Sequence, residues 1–223
     1  MFYKLIKSKR DQWLSQSDCP VLNLVKYIEY KGKMRDAQID AIKTYLFLKI
    51  ACENKPLAEL IKLGRFNSFT DSDIDNLPMS TENRLVLKSN PAAVALYEFA
   101  SSTDDQGNVV APQLEEAIRL TPQKIDFDAV IDRTFYGVSY PDYVFSLPMG
   151  AGKTYLMAAF IYLDLYFAQQ EPDNKAFAHN FMVFAPSGLK TSVVPSLRTI
   201  RDFDPSWIIP EPAASKLKRE LKF

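Results

Sequence analysis

Met149, Gly150, Ala151, Gly152, Lys153 and Thr154 follow one another in an order that suits the capture of an anion. Backbone N–H groups of a glycine-rich turn, continued into a helix N-terminus, converge on one spot and hold a polyphosphate there. Glycine at 150 and 152 lets the backbone approach without a Cβ in the way. Lys153 then reaches the β- and γ-phosphates of a nucleotide as a point charge, and the Thr154 hydroxyl meets the Mg²⁺ that the nucleotide carries. The full pattern G-x-x-x-x-G-K-[ST] asks for glycine where Leu147 stands, so the flanking residues carry the rest of the reading.

Those flanks have the required order of strand, loop and helix. The apolar run 143–147 reads as a buried strand entering the turn, and 155–167 reads as a helix leaving it. A membrane span is excluded for the second segment, because its uninterrupted apolar run stops at Asp164, short of the ~20 residues a span needs. The expected fold is α/β: a partial RecA-like phosphate-loop domain over 141–223, a parallel sheet with flanking helices. It is preceded by an N-terminal helical region over 1–54 and a mainly helical insertion over 55–140.

Composition narrows the classes. A chain of 223 residues, 47% hydrophobic and 24% charged, is ordinary for a globular protein with a buried core. Lysine plus arginine and aspartate plus glutamate balance at 27 each, so any nucleic-acid contact must be local. Cys19, Cys52 and His179 are too few for a structural zinc site and suggest no disulfide framework. With no apolar run at the N-terminus that would serve as a signal peptide, the expected compartment is a reducing cytoplasm.

Upstream of the loop, 20–30 has helical spacing ended by Gly32, and 34–52 has a strong helical period that carries Arg35, Gln38 and Ala41. This Arg-x-x-Gln-x-x-Ala-Ile segment resembles one found in superfamily 2 helicases of the DEAD/DEAH type and their restriction-enzyme relatives. The resemblance implies that Gln38, with a carboxamide that both donates and accepts, reads the adenine edge beside Arg35. In that family a few tens of residues separate the glutamine from the loop, whereas more than a hundred intervene here. They hold predicted helices at 56–63, 91–101 (capped by Asn90, with Pro91 first) and 113–120. Asp71, Asp73 and Asp75 have the spacing of a calcium loop but lack its glycine and closing glutamate, which leaves a capped helix start.

Downstream, 181–185 reads as a second buried strand feeding Pro186-Ser187-Gly188. That order resembles the second conserved helicase segment, closest to the type III restriction subunit. The resemblance implies that Ser187, Lys190 and Thr191 touch nucleic-acid phosphates, DNA being expected rather than RNA. Lys216, Lys218, Arg219 and Lys222 read as a solvated helix face. No acid follows a second apolar strand, so no catalytic residue is assigned. The expectation is therefore an ATP- and Mg²⁺-binding N-terminal piece of a longer helicase or translocase, without its acidic motif and second motor domain. Strands left unpaired in such a piece predict self-association. The alternatives are a nucleotide-binding interaction module without motor activity and a phosphate-loop kinase.

Overall fold

The structure, a computed structural model, describes residues 2–184 and 190–222, with the backbone alone for 190–193. Among the described residues the chain runs through α1 (Tyr3–Leu14), α2 (Leu22–Lys31), α3 (Asp36–Leu46), α4 (Leu57–Lys62), α5 (Asp71–Asp75) and α6 (Thr81–Ser89). It continues through α7 (Pro91–Ser101), α8 (Pro112–Leu120), α9 (Phe127–Thr134), α10 (Lys153–Gln170), α11 (Lys190–Asp202) and α12 (Ala213–Glu220). Two compact units result: Met1–Lys9 with Asn54–Tyr143, and Arg10–Glu53 with Val144–Phe223.

The first unit is built on α7. Residues Ala92 to Ala100 are all buried, because the helix is apolar around nearly its whole circumference. Its start is the one the sequence predicts: the Asn90 side chain accepts from the Ala92 N–H at 3.0 Å, and Pro91 takes the first helical position. Glu98 is the exception inside this core, and the turn at 68–69 satisfies it. Its carboxylate accepts from the Ser68 N–H at 2.8 Å, the Ser68 hydroxyl at 2.8 Å and the Phe69 N–H at 2.7 Å. At α5 the structure has the capped helix start that the sequence predicts: Thr70 and Asp73 cap each other reciprocally across the first turn.

The second unit is built on α10, which packs against α3, α11 and α12. Small residues Ala158 and Ala159 are fully buried and let neighbours approach, while Leu156, Ile161, Tyr162 and Leu163 fill the space between helices. Asp164, where the apolar run ends, is also buried. It receives the Tyr45 hydroxyl at 2.6 Å, the Ala178 N–H at 3.1 Å and the Lys49 ammonium at 3.1 Å. Lys49 sits in a π-helical turn, Phe47–Ala51, that continues α3, and it also donates to the Ala176 carbonyl.

The expected α/β fold with a parallel sheet is not what forms: the described residues are helical and contain no strand, only one isolated antiparallel bridge between Thr103 and Val109. Segment 143–147 lies outside any helix or strand, with Phe145 and Leu147 turned inward and Val144 and Ser146 outward. The second expected strand, 181–185, is described as far as Phe184, and residues 181–184 lie outside any helix or strand and are exposed. The physical reason is that a helix closes its hydrogen bonds within itself, whereas a strand needs a neighbour in register, and these two segments have none. No helix among the described residues is long and apolar enough to cross a membrane.

Candidate functional site

From Leu147, buried in the second unit's core, the chain turns sharply into α10. The Ala151 N–H donates to the Pro148 carbonyl at 3.3 Å, and both Gly150 (φ +78°) and Gly152 (φ +80°) adopt the left-handed conformation. That conformation costs an L-residue roughly 1–2 kcal/mol, which is why glycine stands at both places. Gly152 is the N-cap of α10 and no side chain caps the helix. The first N–H groups of a helix have no carbonyl partner within it, so those of Lys153, Thr154 and Tyr155 end α10 as a concentration of donors and positive dipole.

The start of α3 holds this loop in place. Gln38 is buried, its carboxamide oxygen accepts from the Arg35 N–H at 2.8 Å, and its Nε2 donates to the Gly152 carbonyl at 2.8 Å. The Arg35 guanidinium donates to the Gly150 carbonyl. Because C=O and N–H point opposite ways across a trans peptide, engaging the Gly152 carbonyl from the α3 side turns the Lys153 N–H away from it. A Cβ at residue 152 would stand 2.6 Å from Gln38 Nε2. Each partner therefore fixes the other.

The structure thus brings Arg35, Gln38, Gly150, Ala151, Gly152, Lys153 and Thr154 to one place. Ala151 is buried in the core, Lys153 is exposed and Thr154 half-buried. Met149 projects into solvent at 98% exposure. The carboxamide that the helicase resemblance assigns to adenine has its oxygen and nitrogen engaged in this bracing, so a base read by Gln38 would compete with the Gly152 carbonyl. Lys190 and Thr191 open α11 with their side chains outside the described atoms, and Ser187 lies outside the described residues. No group of three or more metal-ligating side chains converges among the described residues. The uncapped helix end gathers backbone donors at the exposed start of α10, with Lys153 and Thr154 in its first turn.

Comparison with protein-family models, with curated proteins and with solved structures finds no match, so the site stands on its own geometry.

Sequence reasoning missed an aromatic pair beside the loop. Tyr155 and Trp207 stack with ring centroids 5.7 Å apart and planes 3° from parallel, and Phe203 meets both rings edge-on. Tyr155 falls within the helix predicted at 155–167 and Trp207 lies far down the chain, so no local spacing connects the two. It also missed the Lys49–Asp164 pair. The one available signal was a lone acid closing an apolar helical run, a place where burial demands a partner.

Proposed function

We propose that this chain binds Mg·ATP through 149–154 and serves as the nucleotide-binding part of a helicase- or translocase-type ATPase that acts on nucleic acid. The observation that carries the reading is the uncapped N-terminus of α10, entered through two left-handed glycines, with Lys153 and Thr154 in its first turn. Arg35 and Gln38 support it by bracing the loop from α3. The reading is of binding rather than turnover, because no carboxylate is assigned to position water at the γ-phosphate. The helical architecture, without a paired strand among the described residues, favours as the second reading a nucleotide-binding module with no motor activity.

Titration with a fluorescent ATP analogue, with and without Mg²⁺, tests the first step. Micromolar binding that Lys153→Ala weakens by at least tenfold is expected. Binding that is absent, or equal in Lys153→Ala, would overturn it. Phosphate release with single- and double-stranded DNA present separates the two readings: DNA-stimulated turnover points to a motor, and none at all to the module.

A further inference from the structure

We infer that the stacked pair Tyr155 and Trp207 is a platform for a nucleobase, at the edge of the cleft between α10, α11 and the 203–207 turn. The proposal rests on the reading of 149–154 as a phosphate loop and names the part of the ligand that the loop does not hold. The cleft, of about 310 Å³, is lined by Tyr155, Arg198, Thr199, Asp202, Asp204 and Trp207, with Phe203 at its base. Its chemistry is that of a base site. The two rings are nearly parallel, and Tyr155 remains 42% exposed, so part of the pair is open to solvent. Phe203, 2% exposed, fixes both rings from below, so the platform is rigid before anything binds.

The rim supplies polar groups of both signs. Arg198 offers a planar cation, and Asp202 and Asp204 offer acceptors for ring or exocyclic N–H groups. Asp202 accepts from the neighbouring Arg201 at 3.0 Å and Asp204 accepts from the Ser206 N–H at 3.0 Å, which orients both carboxylates. Position completes the case. A Cβ at Gly152 would lie 4.0 Å from Tyr155 Cδ2, so the ring adjoins the residue that begins the anion-binding helix end. With the Gln38 carboxamide committed to the loop, this pair is the aromatic surface next to it. A base stacked there belongs either to the nucleotide whose phosphates occupy the loop or to a single strand passing the helix end, and the two sources share the same stacking chemistry.

Trp207 reports directly on the site. In a Trp13→Phe background, its fluorescence is titrated with Mg·ATP, with inorganic tripolyphosphate and with a twelve-residue oligothymidylate, for the parent, Tyr155→Leu and Lys153→Ala. Stacking predicts quenching by ATP or by the oligonucleotide, weakened about tenfold in Tyr155→Leu, while tripolyphosphate binding measured by calorimetry is unchanged by that substitution. Quenching by ATP alone identifies the nucleotide as the source of the base, and quenching by the oligonucleotide alone identifies the strand. If Tyr155→Leu, shown folded by its circular dichroism, binds ATP and the oligonucleotide as tightly as the parent, the platform is overturned while the phosphate loop stands. Loss of tripolyphosphate and ATP binding in the parent would instead overturn the loop; the platform then stands only if the oligonucleotide still quenches through Tyr155.

Discussion

At the residue scale the loop glycines can be told apart by substitution. A Cβ at residue 150 meets nothing within 4 Å, so Gly150→Ala bears only the left-handed strain, about 1 kcal/mol. Gly152→Ala bears that strain and also drives a methyl to 2.6 Å from Gln38 Nε2, displacing the brace. Urea unfolding should show a loss of roughly 2–3 kcal/mol for the second and about 1 kcal/mol for the first, with ATP-analogue binding lost only in the second. Equal losses would mean that Gln38 yields without cost. Tyr162 gives a different test. Its ring is fully buried and its hydroxyl has no hydrogen-bond partner, and burial, with the charge of Asp204 adding to it, pushes its pKa up to about 12. Between pH 10 and 12 the unfolded chain loses this proton and the folded chain keeps it, so stability falls as pH rises through that window. Tyr162→Phe should therefore unfold no more easily at pH 7, gaining up to about 1 kcal/mol from removal of the orphaned hydroxyl. It should also show a shallower alkaline decline than the parent when melting is followed from pH 9 to 12.

At the scale of elements, the pair between Lys49 and Asp164 ties the π turn after α3 to the middle of α10 and to the 176–178 turn. Both groups are buried and both are hydrogen-bonded, and removal of one partner leaves a charge with nothing to answer it. Lys49→Met should cost about 3–5 kcal/mol in urea unfolding, and Lys49→Met with Asp164→Leu should recover part of that, as a double-mutant cycle would show. Additive losses in the cycle would show that the two side chains act independently. The same scale shows what the sequence could disclose. Helices at 91–101 and 113–120, the cap at Asn90 and the stop at Gly32 are all local events, written within a few residues, and the structure places them as the spacing predicts. The sheet is inferred from apolar runs flanking the glycine-rich turn and from the helicase resemblance, and neither says whether a neighbour exists to pair with. At the site, the turn through Gly150 and Gly152 into α10 is legible because its residues are contiguous. The helicase resemblance gives Gln38 an adenine-reading role beside Arg35, and the bracing is not legible, since a carboxamide that caps a helix and grips a carbonyl looks the same in sequence as one that reads a base.

For the molecule as a whole, two features act together on its behaviour in solution. The formal net charge is zero at neutral pH, so no long-range repulsion keeps copies apart. Segments 144–147 and 181–184, outside any helix, also leave apolar side chains in water: Val144 is 87% exposed, Met182 77% and Phe184 87%. An exposed extended segment with unpaired N–H and C=O groups is a template for another such segment, and pairing would satisfy backbone and side chains at once. Light scattering during gel filtration should then give a mass that rises above 25.4 kDa as concentration increases. The effect should strengthen in sulfate, which enhances apolar burial. Met182→Lys with Phe184→Lys places like charges on one of the two segments and should reduce the associated fraction severalfold, whereas Tyr30→Lys, at a residue 88% exposed on α2, should leave it unchanged. A parent protein that stays at 25.4 kDa throughout would show that these segments remain separate in solution. Equal suppression by Tyr30→Lys would assign the effect to net charge rather than to the segments.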